Sequence, residues 1–352
     1  MQLKDIKYMD TFIRACYDKH IICFGAGKGF ITFIKVAIRI GLIDSISTVL
    51  DNDESKHGKT IKVENYSFLV SNPNLISKIV NPSEYVFVIT AKKSENISKQ
   101  IREYSHMHDV NIFLYRNIVD DYALMYARSI KYPTDLRIER QQLIPKVINY
   151  CWFGETPIPE QFKIWINGWK DKCPDYEIVR WDEKNYDVSR SQFMIDAYNA
   201  KKWAFVADYA RLDIIYRFGG IYLDTDVEIV KNIDDLLYQK AFAGCQQVPD
   251  ERFALGLGFG AIKGLPIFKK MRDSYDNIQF RDYTHQEAHQ IKLDPDIQTE
   301  NMINWGWHYE NKVMHFEDIT IYPTPILNGL IGDRLLVTDY TYSIHHYAGT
   351  WV

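Results

Sequence analysis

The chain has 352 residues, of which 46% are apolar, 14% aromatic and 25% charged. This composition excludes a disordered, collagen-like or low-complexity chain, because it supplies enough apolar material for buried cores. The length predicts two domains rather than one. Charge is nearly balanced, with 42 Lys and Arg against 46 Asp and Glu, so nonspecific binding to nucleic acid is not expected.

The cysteine pattern and the hydropathy of the chain bear on its compartment. The five cysteines are scattered and form no Cys-x-x-Cys pair, so we expect neither a disulfide framework nor a zinc site. The first residues include Lys4 and Asp5, where a signal peptide needs an apolar stretch. No apolar run approaches the ~18 residues of a membrane span. We therefore expect a cytoplasmic protein, for which peripheral attachment to the inner face of the cell membrane remains open.

Residues 1–118 have the pattern of an N-terminal domain in which strands alternate with helices. Residues 21–24 form a continuous apolar run that leads into a glycine-rich turn and then a helical pattern. A second apolar run ends at Asp51, and a third covers residues 85–89. Continuous apolar strands between helices indicate a parallel sheet covered on both faces. We predict a Rossmann-like parallel-sheet domain.

The glycine-rich turn is a candidate nucleotide site. Gly25, Gly27 and Gly29 follow the first strand and open a helix, where backbone amides can face a phosphate. Asp51 ends the next strand, roughly 20 residues on, where dinucleotide-binding folds place the acid that binds ribose. The third glycine falls one residue earlier than in that fingerprint. The alternative is a degenerate unit that serves docking or assembly, through which the chain could form a homo-oligomer.

A polar, charged stretch separates this domain from the rest of the chain. Residues 119–142 are predicted to be a helical linker, and residues 143–352 a second α/β domain. This domain opens with a new apolar strand and continues with helical patterns. The helical patterns cover residues 159–172, 190–202 and 204–218. The last of them ends at Gly219-Gly220, where glycine suits a helix C-terminus.

Directly after this helix, three acidic residues occupy alternate positions. A short apolar strand, residues 221–223, leads into Asp224, Asp226 and Glu228. In an extended backbone alternate side chains lie on the same side, so Asp224 and Asp226 are expected to converge. Convergent carboxylates repel each other unless a cation lies between them, and Mn²⁺ or Mg²⁺ prefers such oxygen ligands and bridges them to phosphates. The alternative is a solvated acidic turn.

The preceding helix carries an acid and an arginine on one face. Asp208 and Arg211 lie three residues apart, in a helix that is otherwise mostly apolar or aromatic. Beside a metal site, the carboxylate could hold a sugar hydroxyl and the guanidinium a phosphate. The alternative is an ordinary surface ion pair, which stabilises a helix by roughly 0.3–0.5 kcal/mol.

Together these motifs resemble a known family. The string Ala207-Asp208-Tyr209-Ala210-Arg211, followed by Gly219 through Asp226, resembles the DXD-motif sugar-transferase family, which includes fungal mannosyltransferases and bacterial capsular polysaccharide transferases. The strand that ends in Trp152-Phe153-Gly154 is also similar to this family. The resemblance covers residues 143–352 and implies a nucleotide-sugar transferase domain of the GT-A type after the Rossmann-like domain.

For donor binding, the resemblance implies roles for five residues. Trp152 would pack on the nucleotide base, and Tyr222 would lie against the nucleotide. Asp208 and Arg211 would contact the donor sugar and phosphate, and Trp351 would cover the diphosphate.

For the metal, the resemblance implies a set of ligands that ends near the C-terminus. Asp224 would hold ribose or reach the metal through water, and Asp226 would ligate Mn²⁺ or Mg²⁺. His346 would be a third ligand, with His345 as the competing candidate.

The resemblance also implies a reaction. Family members move a hexose or N-acetylhexosamine from a nucleoside-diphosphate sugar, with retention at the anomeric carbon, to a glycan, lipid-linked oligosaccharide or glycoprotein acceptor. The region around Trp152 resembles uridine-binding members, which favours a UDP-sugar over a GDP-sugar and a role in capsule or surface-glycan synthesis. Because no carboxylate stands out as a nucleophile, we favour front-side attack, with the metal on Asp226 and with Arg211 stabilising the leaving diphosphate.

Three further segments bear on the resemblance. Many family members carry Thr-Gly-Pro where this chain has Thr299-Glu300-Asn301. The cluster Gly256, Gly258 and Gly260 resembles the donor-sugar loop of the family, and the alternative is a flexible turn. The N-terminal domain is similar to the nucleotide-sugar-binding domains of bacterial sugar acyltransferases.

Other functions remain open at this stage. A phosphatase of the haloacid-dehalogenase type also ends an apolar strand in Asp-x-Asp, with Asp224 as nucleophile and Asp226 as acid and base, but it places the motif on the first strand of its domain. A nonenzymatic carbohydrate-binding protein could use the many aromatic residues. A nicotinamide-dependent dehydrogenase built on the N-terminal glycines is a weaker alternative.

Overall fold

The chain divides into two units, one up to Arg128 and one from Ser129 onward. The computed structural model describes residues 7–246, 251–280, 294–310, 312–332 and 334–349. Within these residues, no helix is both long enough and apolar enough to cross a membrane. All five cysteines are buried free thiols.

A six-stranded sheet with helices on both faces forms the first unit. Its elements are, in chain order, α1 (Lys7–Ala15), β1 (His20–Phe24), α2 (Lys28–Arg39), β2 (Ile46–Leu50), β3 (Thr60–Val63), β4 (Tyr66–Ser71), β5 (Tyr85–Ile89), α3 (Ser94–Arg102), β6 (Asn111–Leu114) and α4 (Tyr115–Arg128). The strand order is β3-β4-β2-β1-β5-β6, and only the β3–β4 pair is antiparallel. The predicted parallel-sheet α/β class of this part is confirmed.

The burial of the central strands explains why their sequences are continuously apolar. Residues 21–24 of β1 and 86–89 of β5 are all buried. Alternate residues of these strands belong to cores on opposite faces of the sheet. A strand covered on both faces needs apolar side chains at every position, so its pattern lacks polar alternation.

The segment predicted as a helical linker is helical only in its first part. Helix α4 ends at Arg128, and residues 129–146 contain neither helix nor strand. Pro133 lacks an amide donor and disfavours a helix there. Leu136 and Ile144 are buried in a core of the second unit. Four backbone amides of this segment, two near residue 138 and two near residue 143, also donate to the carbonyl oxygens of Leu237 and Tyr238, so packing and backbone hydrogen bonds together hold it.

The second unit is also built from strands and helices. Its elements are, in chain order, β7 (Val147–Cys151), α5 (Glu160–Lys172), β8 (Glu177–Trp181), α6 (Gln192–Asn199), α7 (Trp203–Phe218), β9 (Gly220–Tyr222), β10 (Val227–Ile229), β11 (Ala241–Cys245), β12 (Phe259–Ala261), α8 (Pro266–Asp273), α9 (Asp294–Asn304), β13 (Met314–Phe316), β14 (Ile319–Pro323), β15 (Leu330–Ile331), β16 (Arg334–Leu335) and β17 (Ser343–His345). Helices α5, α6 and α7 coincide with the three helical segments predicted from the sequence.

A mixed seven-stranded sheet forms the centre of this unit. Its order is β13-β14-β11-β12-β9-β7-β8. The pairs β7–β8, β7–β9 and β11–β14 are parallel, whereas β12 is antiparallel to both of its neighbours. Strands β10 and β17 form a separate antiparallel pair. The predicted α/β class of the second domain is therefore confirmed as well.

Two glycines allow helix α7 to continue directly into strand β9. Gly219 and Gly220 have φ angles of 72° and 94°, which only glycine adopts without strain. A Cβ atom on Gly220 would lie 2.8 Å from the Val147 carbonyl oxygen of β7, so the close strand pairing also excludes a side chain. Because β7 and β9 are parallel, their carboxyl ends meet at one edge of the sheet, beside Trp152 and Asp224.

Candidate functional site

The two aspartates of the Asp-x-Asp motif lie on a tight turn between β9 and β10. The Val227 amide donates to the Asp224 carbonyl oxygen at 3.1 Å, which closes the turn. The expectation that Asp224 and Asp226 converge because they alternate along one extended strand is therefore wrong about the backbone. The turn itself brings the two carboxylates to the same side.

A histidine from the C-terminal strand completes this cluster. Strand β17 pairs with β10 so that His345 lies opposite Val227. The His345 Nε2 atom is 3.4 Å from Asp226 Oδ1 and 3.9 Å from Asp224 Oδ2. Ligand atoms of Asp224, Asp226 and His345 all lie within 4.8 Å of one another. Among the described residues, these three could hold a metal ion together.

The neighbouring histidine points elsewhere, so the histidine that lies beside the acidic turn is His345 and not His346, the residue favoured from the sequence. Successive side chains of an extended segment lie on opposite sides. His346 Nε2 lies 2.9 Å from Glu228 Oε2, and its ring stacks on Trp165 with 4.3 Å between the ring centroids. The sequence alone leaves the choice open because it does not define the register of β17 on β10.

The segment after β17 holds Asp226 through its backbone. The Ala348 amide donates to Asp226 Oδ2 at 2.9 Å, and the His346 amide donates to the Asp226 carbonyl oxygen at 3.0 Å. These contacts fix the orientation of the carboxylate before any ligand arrives. The C-terminal segment therefore contributes to the acidic cluster with its main chain as well as with His345.

Helix α7 brings a buried arginine to the same cluster. Arg211 and Asp208 are 5% and 7% exposed, and Arg211 Nη2 donates to Asp208 Oδ1. Arg211 Nη1 lies 3.6 Å from Asp224 Oδ2. The interpretation of Asp208 and Arg211 as an exposed surface pair is therefore wrong, and the two residues lie beside the acidic turn as the functional interpretation predicts.

Burial and charge shift the pKa values of this network in opposite directions. Burial raises the pKa of the Asp208 carboxyl well above its ordinary value, against the effect of Arg211. Burial alone would lower the pKa of Arg211, but the surrounding carboxylates raise it well above its ordinary value. Partial burial would raise the pKa of Asp224, but Arg211 and hydrogen bonds from His345 and Tyr222 lower it. Asp224 is therefore held as a carboxylate.

Asp294 is a further member of the network that the sequence analysis missed. It begins helix α9 and is 4% exposed. Its Oδ1 accepts from the Tyr275 hydroxyl at 2.5 Å, and its Oδ2 lies 3.8 Å from Arg211 Nη1. Burial raises its pKa. An acid in the first turn of a helix is ordinary N-terminal composition, so no sequence signal separates Asp294 from a structural residue.

The donor set and the charge balance fit a divalent cation. Four carboxylates, those of Asp208, Asp224, Asp226 and Asp294, are accompanied by Arg211 as the one guanidinium in this network of described residues. Burial raises the pKa values of Asp208 and Asp294 but the pKa of Asp224 is lowered, so negative charge is favoured at the acidic turn, where a cation would compensate it. Carboxylate oxygens, with one imidazole beside them, are the donors that Mn²⁺ and Mg²⁺ accept.

The other residues predicted to bind the donor differ in their exposure. Trp152 is partly exposed; its indole N–H donates to the Thr156 carbonyl oxygen at 2.7 Å, and its ring remains at the edge of the sheet. Tyr222 is 1% exposed and lies under Arg211, so it supports the arginine from the core, and its contact with a nucleotide stays a prediction. Trp351 lies outside the described residues. Gly256 is next to the cluster, since a Cβ atom there would lie 2.7 Å from Asp224 Oδ2.

The second predicted site, in the first unit, has the expected backbone, and its acid is hydrogen-bonded to that backbone. Gly25 and Gly27 lie between β1 and α2, and Gly29 is the second residue of α2. The Asp51 carboxylate accepts from the Ala26 amide at 2.6 Å and the Asp53 amide at 2.8 Å, and it pairs with Lys56 at 3.1 Å. These bonds show that Asp51 fastens the glycine turn. A lone pair of Oδ1 stays free, and its use for ribose stays a prediction.

We expect Gly29→Ser to destabilise the first unit and Gly27→Ser not to destabilise it. A Cβ atom on Gly29 would lie 2.3 Å from the Thr90 carbonyl oxygen, whereas one on Gly27 meets nothing within 4 Å. Overpacking at residue 29 should lower the free energy of unfolding by about 1–3 kcal/mol. Gly27 is the N-cap of α2, where serine is favoured, so Gly27→Ser should leave stability equal or higher. Urea denaturation of both variants measures the difference, and equal losses would contradict the close packing.

The comparisons with known proteins agree with this site. Residues 159–243 match the family described as "Glycosyltransferase sugar-binding region containing DXD motif". The predicted resemblance to the DXD-motif family is confirmed, and the matched segment contains Asp208, Arg211, Asp224 and Asp226. The mixed α/β architecture of the second unit is consistent with the predicted glycosyltransferase fold.

Similar curated proteins are fungal. "Inositol phosphoceramide mannosyltransferase 3" of Schizosaccharomyces pombe is 32% identical over 122 residues, which are 32% of this chain and 32% of that protein. "Mannosyl phosphorylinositol ceramide synthase SUR1" of Saccharomyces cerevisiae is 33% identical over 107 residues, which are 29% of this chain and 28% of that protein. The chain thus spans about a third of the length of these relatives. Among solved structures, the PaToxG glycosyltransferase aligns with a TM-score of 0.39 and 19% identity over 54% of this chain and 80% of that chain.

Proposed function

We propose that the second unit is a cation-dependent, retaining glycosyltransferase that moves a hexose or N-acetylhexosamine from a nucleoside-diphosphate sugar to a glycan, lipid-linked oligosaccharide or glycoprotein acceptor. The observation that carries this proposal is the convergence of Asp224, Asp226 and His345 beside buried Arg211. Both aspartates and the arginine belong to the segment that matches the DXD-motif family. Relatives named as mannosyltransferases make mannose one candidate sugar. The resemblance around Trp152 favours a uridine-linked donor.

Each group at the site has its own task in such a transfer. A divalent cation held by the carboxylates of Asp224 and Asp226 would neutralise the charge that develops on the leaving diphosphate. Arg211 is always protonated and lies against Asp224, so it presents a second positive charge beside the same oxygens. Asp208 fixes the guanidinium from the other side. Tyr222 supports it from below.

The state of the buried carboxylates supports front-side attack over a covalent intermediate. A nucleophilic carboxylate must be ionised and able to approach the anomeric carbon. Asp208 is bonded to Arg211 and Asp294 to the Tyr275 hydroxyl, and burial raises the pKa of both. Neither is an activated nucleophile, so the departing phosphate oxygen is the base that we propose for the acceptor hydroxyl.

The nucleotide base has a candidate platform at the sheet edge. Trp152 follows β7 directly, and parallel strand β9 ends beside it at the acidic turn. The partly exposed indole is held by Thr156 and packs edge-on against Phe162. An aromatic face in this position can stack on a base while the diphosphate reaches the acidic turn.

A panel of nucleotide sugars with Mn²⁺ tests the proposed function. The probes are UDP-glucose, UDP-galactose, UDP-N-acetylglucosamine and GDP-mannose, each scored by thermal stabilisation and by release of the nucleoside diphosphate. We expect at least one donor to raise the melting temperature only when Mn²⁺ is present. Absence of any Mn²⁺-dependent shift or hydrolysis across the panel would contradict the proposal.

The same panel separates the proposal from the phosphatase alternative. In a haloacid-dehalogenase-type phosphatase, Asp224 would attack phosphate esters, so p-nitrophenyl phosphate is added as a probe. Turnover of this ester that disappears in Asp224→Asn, without any response to nucleotide sugars, would favour the phosphatase. The acceptor, the role in capsule or surface-glycan synthesis and the cytoplasmic location stay predictions.

A further inference from the structure

The hydrogen bond at the second ring nitrogen of His345 is unusual for a metal-binding histidine. The backbone N–H of Tyr347 donates to His345 Nδ1 at 3.2 Å. Nδ1 must therefore present its lone pair to Tyr347. A histidine that ligates a metal normally does the reverse, since its second nitrogen donates to a carbonyl or carboxylate.

This contact determines which nitrogen carries the proton of the neutral ring. A neutral imidazole has one N–H and one acceptor nitrogen. With Nδ1 as the acceptor, the proton is on Nε2, the atom that lies 3.4 Å from Asp226 Oδ1 and 3.9 Å from Asp224 Oδ2. An N–H that faces two carboxylates donates to them. It offers no lone pair to a cation.

We propose that His345 is a positioning residue that holds Asp226 through an Nε2–H hydrogen bond and is not a ligand of the cation. This proposal rests on the cation site of the proposed function. Asp226 then receives His345 Nε2–H at Oδ1 and the Ala348 amide at Oδ2. Each carboxylate oxygen has two lone pairs, so one on each oxygen stays available. The cation is held by Asp224 and Asp226, with water and diphosphate oxygens as further ligands.

A buried asparagine fixes the turn that presents the Tyr347 amide. Tyr347 has a φ of 49°, a left-handed conformation that bulky residues rarely adopt. The side-chain amide of Asn328 donates to the Tyr347 hydroxyl at 2.8 Å, and its Oδ1 accepts from the His345 amide at 3.2 Å. Asn328 is 3% exposed. It therefore ties both ends of the turn, which keeps the Tyr347 N–H aimed at Nδ1.

The position of the proton can be measured in the metal-free chain. Nitrogen-15 NMR of histidine-labelled protein distinguishes a protonated ring nitrogen from an acceptor nitrogen, and the His345 signals are assigned by their loss in His345→Gln. We expect Nε2 to be protonated and Nδ1 to be the acceptor. The opposite tautomer would overturn the proposal, whatever the protein does with nucleotide sugars.

The role toward the cation is tested with Mn²⁺ alone. Pulsed EPR of the Mn²⁺-loaded chain detects a directly bound nitrogen, and we expect the wild type and His345→Gln to show none at this site. A nitrogen coupling that is present in the wild type and absent in His345→Gln would identify His345 as a ligand and overturn the proposal.

Mn²⁺ affinity, measured by calorimetry, gives a third readout. The amide N–H of glutamine replaces Nε2–H, so His345→Gln should bind Mn²⁺ within about threefold of the wild type, whereas His345→Leu, which lacks a donor, should lose about tenfold. Equal losses in both variants contradict the donor role. His346→Gln is the matched control, because His346 contacts Glu228 and Trp165, and it should bind Mn²⁺ as the wild type does. If the wild type itself binds no Mn²⁺, the proposed function fails, while the NMR result still decides the proton position.

Discussion

Replacement of Asp226 by asparagine is expected to lower kcat for sugar transfer by about 10²–10³-fold while the chain stays folded. The substitution keeps the size of the side chain and an oxygen that can accept the Ala348 amide, so the turn between β9 and β10 should persist. It removes one of the two negative charges that hold the cation beside the leaving diphosphate. Transfer with the best donor of the panel and Mn²⁺ titration measure the loss, and circular dichroism confirms the fold.

Glu228→Gln is the matched control for this experiment. Glu228 is the next acid at the same spacing. Its side chain is 43% exposed and contacts His346, away from the cation site. It should retain Mn²⁺ affinity and kcat within about twofold, since an exposed pair of this kind contributes up to about 1 kcal/mol. An Asp226→Asn variant that transfers sugar at the wild-type rate with Mn²⁺ removed by a chelator would falsify the proposed role of the acidic turn.

The parts of the fold that follow from local chemistry could be predicted from the sequence. Continuous apolar runs predict β1 and β5 because both faces of these strands are buried. Gly219 and Gly220 predict the end of α7 because the helix-to-strand connection needs positive φ angles. Asp208 and Arg211 share one helix face by their spacing, and the direct continuation of this helix into the acidic strand favours their position beside the acidic turn.

The parts that depend on tertiary register could not be predicted. Which of His345 and His346 faces the acidic turn depends on how β17 pairs with β10, and a shift of one residue would exchange the two side chains. Asp294 reaches Arg211 only because α9 packs against the loop that carries Gly256. Asp51 fits the ribose position of a fingerprint, and the sequence does not show that its carboxylate also accepts from the Ala26 amide. A sequence motif identifies a residue type and a spacing but not the partner that the fold supplies.

Arg211→Met is expected to destabilise the second unit by about 3–5 kcal/mol and to abolish measurable transfer. The variant leaves Asp208, Asp224 and Asp294 without the buried charge that pairs with them. Burial already raises the pKa values of Asp208 and Asp294, and loss of the guanidinium should raise both further. The unfolded chain releases these protons near pH 4, while the folded variant keeps them to higher pH, so its free energy of unfolding should fall as the pH rises above about 4.

Arg217→Met tests whether this loss is specific to the buried network. Arg217 lies on the same helix, but it is 38% exposed and pairs with Asp213, which keeps Arg190 and Arg272 as partners. Its removal should therefore change stability by less than about 1 kcal/mol, with little dependence on pH. Urea denaturation of both variants between pH 5 and pH 8 measures the contrast. Equal stability changes, or an Arg211→Met variant that becomes more stable as the pH rises, would mean that Arg211 does not neutralise the carboxylates that surround it.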